Sequence, residues 1–444
     1  MFQRTRSTLP YICRQCRAAE ARRTHTTTTT TTSSSSTHPT LPPPPPPSGA
    51  AHLANRRLIA IHGQDAAKFL QGIISNNVRA GDTKGFYAAA RAQRRLRLPA
   101  RGQQGGLARA AGEAQAQLQA GADAAGYLVE VDAAEAASLL QHIRRHKLRA
   151  KIAVRLLEAD EAGVWSVWRE SEKWTPYAGS FESAAATPHG SSRHEADRSS
   201  GSNSSDADSP YLSLIDARAP GMGHRLLLPR STHPSALSAA FSGLEDTSLG
   251  SYTVRRMLRG VAEGQAEMQR DAAFPLNSNL DAMGAVDFRK GCYIGQELTI
   301  RTHHTGVVRK RLLPCRIYAL ADARLADRPA DIPLEYDAGY AGPTPPPDRD
   351  VAVLRNDRKA KNAGKWIRGL GNLGLALCRL EVCTDLKLTG EGTMWRPEHN
   401  FRLEWKGEDG AAVGVRGTGV GVKAFVPDWL RGRIRVRKEA GRVE

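Results

Sequence analysis

Two tracts of this chain cannot join a hydrophobic core, and they fix where a folded body can lie. Residues 1–48 contain a threonine run from Thr26 to Thr32, a serine run from Ser33 to Ser36 and a proline run from Pro42 to Pro47. Residues 171–210 are mostly Ser, Asp, Gly and Ala with scattered charges. Neither tract has enough apolar surface to offset the entropy lost on ordering its backbone. A folded body is therefore expected from about Leu53 to residue 170, and again from Tyr211 onward.

The first tract carries Arg4, Arg6, Arg14, Arg17, Arg22 and Arg23 against the single acid Glu20. Arg-rich, Ser/Thr-rich and acid-poor composition is that of a mitochondrial transit peptide. Residues 1–48 are read as that leader plus a low-complexity linker, which implies the mitochondrial matrix. Residues 171–210 are read as a disordered surface insertion.

Within the body the patterning is that of an α+β protein. Leu58, Ile59 and Ile61 form a short strand. Gly63-Gln64-Asp65 turns into a helix that Asp65 could cap, with Ala66, Phe69, Leu70 and Ile73 facing inward. Tyr127 to Val131 alternates as a strand does. Asp132 then caps a helix whose inward residues are expected to be Ala137, Leu140, Ile143 and Leu148. Arg144, Arg145, His146 and Lys147 crowd the end of that helix, where the dipole favours cations. Strands are expected at Lys151 to Leu156 and Val164 to Trp168, giving a split βαβ, ferredoxin-like half. Tyr252 to Gly264 has helix character. Segments at Gly364 to Leu380, Arg402 to Trp405 and Gly419 to Val426 suit a small C-terminal β-barrel. The expected divisions are a core over 49–312, a barrel over 313–430 and a basic tail over 431–444.

Residues 84–112 break the pattern, with seven Lys/Arg and no carboxylate. A shifted reading frame in the gene would give such composition, as would a divergent basic loop; the frame shift is the favoured reading.

The net charge of +18 would suit nucleic acid, anionic lipid or an acidic ligand. No RNA- or DNA-binding motif accompanies it, so nucleic acid is not expected as a partner. No apolar run is long enough for an integral membrane segment. The six cysteines, Cys13, Cys16, Cys292, Cys315, Cys378 and Cys383, form no disulfide framework. Cys378 and Cys383 lie in an apolar stretch and are expected to be structural. Gly369 to Gly374 fits G-x-G-x-x-G but lacks a βαβ frame, so it is not read as a nucleotide site. His303 and His304, if on a strand, would point to opposite faces, so no metal site is expected there.

The chemistry concentrates in Lys290-Gly291-Cys292-Tyr293-Ile294-Gly295-Gln296, closed by Glu297. A thiol near a cation is in the setting that favours the thiolate, and a helix starting there would add to the effect. Gln296 and Glu297 could meet the donor and acceptor edge of a pterin or orient the thiol. The bland alternative is a packed, inert cysteine in a glycine-rich turn. Upstream, Asp216, Arg218 and Arg225 surround a glycine turn. The arginines could grip a carboxylate or pyrophosphate, or pair with local acids.

The sequence from Lys290 to Leu312 resembles the signature of the YgfZ-type branch of the aminomethyltransferase (glycine-cleavage T-protein) superfamily. Asp216 to Arg225 resembles the D-x-R-x-x-x-x-G-x-R element of that branch, and Gly63 to Asn77 resembles the superfamily's opening. The resemblance implies a three-lobed aminomethyltransferase-like fold with a folate-accepting channel faced by Cys292. It implies tetrahydrofolate held by Lys290, Gly291, Tyr293, Gly295, Gln296, Glu297, Asp216, Arg218 and Arg225. It also implies a mitochondrial assembly role in maturing 4Fe–4S proteins, with A-type iron–sulfur scaffold proteins and 4Fe–4S client enzymes as partners. Two rivals remain. One is a true aminomethyltransferase of glycine cleavage, which needs a carboxylate where 84–112 has none. The other is a basic RNA- or membrane-surface adaptor.

Overall fold

In the computed structural model, the described residues are 41–78, 86–90, 94–98, 126–172, 211–237, 241–388, 394–406, 412–413 and 419–434. Residues 1–40 of the expected leader and linker, most of 84–125, and residues 173–210 of the expected insertion lie outside them. So does the tail from 435.

Three β structures organise the body. The first is a sheet of order β10-β1-β7-β9-β8, built from β1 (Ser48–His52), β7 (Ala162–Arg169), β8 (Leu212–Ile215), β9 (His224–Pro229) and β10 (Glu245–Thr247). The second has the order β3-β4-β5-β2-β6, from β2 (Arg56–His62), β3 (Phe86–Ala90), β4 (Arg94–Leu98), β5 (Gly126–Asp132) and β6 (Ala153–Leu156). Helices α1 (Ala66–Ile73) and α2 (Ala136–Lys147) connect its strands. Strands β4-β5-β2-β6 pair antiparallel in the ferredoxin-like order expected from the sequence, but Val164 to Trp168, expected in this half, lies in β7 of the first sheet. The β3–β4 hairpin falls inside the anomalous 84–112 segment.

Strand β2 explains how the two sheets stack. Side chains alternate across a strand. Ile59 and Ile61 pack with Leu70 and Ile73 of α1 and with Leu139 and Ile143 of α2. Leu58 and Ala60 face the other way, into a core shared with Val164, Trp168 and Leu227 of the first sheet. A strand buried on both faces must be apolar at successive positions, as Leu58 to Ile61 is. Helix α3 (Leu249–Leu258) adds Tyr252 to that shared core.

The third structure is a closed barrel. Strands β11 (Lys310–Ala319), β12 (Val351–Arg355), β13 (Asn362–Leu370), β14 (Leu373–Arg379), β15 (Phe401–Lys406) and β17 (Val420–Ala424) pair in a ring that closes through β12 and β15. The short β16 (Ala412–Val413) extends β15 outside the ring. Closure removes sheet edges, and the interior fills with Leu313, Ile317, Trp366, Ala376, Leu403 and Val422. The run Gly369 to Gly374 is the β13–β14 hairpin turn, with Gly371 at φ 59°.

Several details differ from the sequence reading. The body starts before Leu53: β1 is strand, and the proline run is bonded to the body. Trp168 donates to the Pro46 carbonyl at 2.9 Å, Ser251 to that of Pro43 at 3.0 Å and Tyr336 to that of Pro42 at 2.7 Å. Proline cannot donate, but its carbonyl accepts, so a run with no core-forming side chains is held by its backbone. Asp65 does not cap α1; its carboxylate accepts the Lys151 amide at 2.7 Å. Asp132 does accept the Ala134 amide at 3.0 Å. The buried face of α2 is Ala136, Leu139 and Ile143, one position off the expected register at two sites. Leu148, expected inward, is 88% exposed. Helix α3 stops at Leu258, and Gly260 turns at φ 68°.

Candidate functional site

The signature lies on the loop between α3 and α4 (Glu297–Thr305). A set of hydrogen bonds fastens this loop to the end of α1. Ser75 Oγ donates to the Ala285 carbonyl at 2.6 Å, and Asn76 Nδ2 to that of Gly284 at 2.9 Å. In return, the Asp287 amide donates to Ser75 O at 2.9 Å and the Ile294 amide to Gly72 O at 3.1 Å. Lys290 Nζ completes the set, donating to the carbonyls of Gln71, Ile74 and Asn76 at 2.7, 2.6 and 2.9 Å. These carbonyls lie at or just beyond the C-terminal end of a helix, where no intrahelical donor is left and the dipole favours a cation.

This is a correction for Lys290. The sequence sets it two residues from the thiol, but the structure aims its ammonium at α1. It also lies 5.0 Å from the centroid of the Tyr293 ring. Burial pushes its pKa down to about 8, with Asp287 opposing. Tyr293 is buried, and burial first, then Glu297, raises its phenol to about 12.

Cys292 is exposed, whereas Cys315, Cys378 and Cys383 are buried. Helix α4 begins at Glu297, so Cys292 does not start a helix. Gln296 precedes α4, and its side-chain oxygen accepts the Tyr293 amide at 3.2 Å. Gly295 supplies φ 84°, a value that favours glycine. Nothing lies within 4 Å of where a Cβ on Gly291 would stand. Glu297, Ile294 and Leu298 are exposed around the thiol's loop. His303 and His304 sit on α4 rather than on a strand, and His303 stacks on Phe288 at 3.4 Å between centroids.

Asp216, Arg218 and Arg225 do come together, but away from solvent. Arg218 grips Asp216 with two bonds of 2.8 and 2.7 Å and Glu263 with a third of 2.5 Å. Arg225 donates to Tyr252 at 2.9 Å and to Glu263 at 3.0 Å, and its Nε lies 3.5 Å from Glu130. Glu130 also accepts from Arg56 at 2.9 Å. The arginines therefore pair with acids of the chain itself, the second of the two sequence readings. Burial pushes the Glu263 carboxyl up, but the guanidinium charges of Arg218 and Arg225, with Arg56 and Arg256, together outweigh it and hold the group well below the usual range. Glu263 and Tyr252 had no sequence signal, because both lie far from Arg218 in the chain.

Asp216, Arg218 and Arg225 are closed to a folate, being at most 1% exposed. Arg225 Nη1 has no partner, yet it is closed off from solvent as well. Lys290 is bonded to three carbonyls. The segment expected to carry a carboxylate beside the pterin lies largely outside the described residues.

Residues 309–432, the barrel and its flanks, match the family model described as CAF17, C-terminal beta-barrel domain. A relative in Aspergillus fumigatus, described as an iron–sulfur cluster assembly factor IBA57 homolog, mitochondrial, is 42% identical over 402 residues. These cover 87% of this chain and 83% of the relative. One of the same description in Neurospora crassa is 36% identical over 461 residues, covering 99% and 92%. The chain belongs to this family of mitochondrial iron–sulfur cluster assembly factors. Among solved structures it is similar to the glycine cleavage system aminomethyltransferase T of Bartonella henselae, at TM-score 0.48 and 11% identity over 89% of each chain. Like its relatives, it is a mitochondrial protein.

Proposed function

We propose that this chain promotes maturation of 4Fe–4S proteins, of the aconitase and radical-SAM types, with the Cys292 thiol as its working group. One observation carries the reading: Cys292 is exposed on a fastened loop while the other described thiols are buried. A surface thiolate can ligate iron at the edge of a cluster carried by another protein; a buried thiol cannot. Ile294 and Leu298, 41% and 49% exposed, offer apolar area on the same loop and the first turn of α4. Arg289 and Arg301, also exposed, suit an acidic rim on the partner. The partner in this reading is an A-type iron–sulfur scaffold protein in the mitochondrial matrix, and the clients are 4Fe–4S enzymes.

The test is complementation. In cells lacking the native gene, C292A is expected to accumulate normally yet leave aconitase activity and protein lipoylation low. Full restoration of both by C292A overturns the proposal.

A further inference from the structure

Two features at the end of α2 stand apart from ordinary surface. The first is Leu148. It has φ 45° and ψ −116°, and the Ala150 amide closes the turn onto the Lys147 carbonyl at 2.8 Å. These are the angles of the second residue of a type II′ turn, a position glycine dominates because L side chains are strained there. A leucine stands there instead, 88% exposed, the most exposed large apolar side chain among the described residues. It has the strain of the position and none of the burial that would offset it.

The second feature is charge. Arg144, Arg145, Lys147, Arg149 and Lys151 lie within eight residues, and no carboxylate occurs between Glu135 and Glu158. Of these, Arg144, Arg145, Arg149 and Lys151 are exposed. The helix dipole accounts for cations in the last turn of α2, but not for Arg149 and Lys151 beyond it. The turn is fixed in place: Asp65 accepts the Lys151 amide at 2.7 Å, and Gly63 leaves room for the Lys151 carbonyl. Asp65 is the acid that the neighbouring segment brings to this turn.

We propose that this turn is a membrane-contact site, which lays the chain on an anionic bilayer surface with Leu148 inserted among the acyl chains. An exposed apolar apex ringed by cations has this complementarity: the side chain enters the headgroup boundary while the cations meet lipid phosphates. Single-stranded RNA would want aromatic platforms. The one ring in the segment, His146, lies against His142 at 4.2 Å between centroids.

Full-length protein is mixed with vesicles of phosphatidylcholine alone or of equal parts phosphatidylcholine and cardiolipin, and co-sedimentation is read at low and high salt. Binding is expected only to the anionic vesicles and is expected to fade with salt. R145E/R149E weakens it roughly tenfold or more. L148G weakens it roughly tenfold through the lost apolar insertion. The same variant keeps or raises thermal stability, because glycine relieves the positive φ. Two results overturn the proposal. One is that both variants bind anionic vesicles as the wild type does, which assigns adhesion to the Arg-rich N-terminal segment. The other is that a single-stranded RNA oligonucleotide displaces the vesicles.

Discussion

Lys290 and Ile74 are far apart in the chain, and the Lys290 ammonium donates to the Ile74 carbonyl at 2.6 Å. With the bonds to Gln71 and Asn76, this fixes the thiol loop to α1. A rigid support keeps a reactive group in one geometry better than a free loop does.

Lys290→Met should therefore cost about 1.5–3 kcal/mol, the range for hydrogen bonds to a charged group. Because its folded pKa, about 8, lies below the free value of 10.5, the unfolded chain holds more protons between those values. Across that window the contribution of this lysine to stability rises with pH. Urea unfolding of wild type and K290M at pH 7 and pH 10 measures it. The gap between them should widen in the wild type's favour at the higher pH, and a narrowing gap contradicts the assignment.

The buried pairs of Arg218 and Arg225 with Glu263 should dominate acid sensitivity. Removing one partner leaves a buried charge uncompensated, so Glu263→Gln should cost about 3–5 kcal/mol at pH 7. The Glu263 pKa is depressed in the fold, so its contribution is present above the ordinary glutamate value and is lost as pH falls through the folded value. Denaturant titrations from pH 7 to pH 3 should show wild type and E263Q converging in acid.

Two glycines should behave oppositely. Gly223 has φ 69°, and a Cβ there would stand 2.1 Å from the Val167 carbonyl oxygen. Gly223→Ala should destabilise by about 1–3 kcal/mol. At Gly291 a Cβ meets nothing within 4 Å. Gly291→Ala should stay within about 0.5 kcal/mol of wild type. A loss of client maturation in G291A at unchanged melting temperature would place that surface against a partner.

Much of this was legible locally. The alternation of Tyr127 to Val131 and the near-helical spacing after Asp132 pointed to the ferredoxin-like half, and strand-like segments late in the chain gave the barrel. The Cys292 loop stood out because glycines, a thiol and a lysine fall together. What escaped were relations between distant residues. Nothing near Lys290 announces three carbonyls of α1, and nothing near Arg218 announces Glu263. Leu148 was misplaced because its helical spacing continues one residue past the helix, where the backbone turns it outward. The proline run was misread because composition reports side chains, and this run is held by carbonyls.

The exposure of the thiol is the most direct point of attack. Purified full-length protein and its C292S variant are each mixed with an A-type scaffold protein loaded with an iron–sulfur cluster, and the visible circular dichroism of the cluster is recorded. The wild type should change the cluster spectrum and elute with the scaffold, and C292S should leave the spectrum unchanged. An identical spectral change with C292S would contradict the central role given to Cys292.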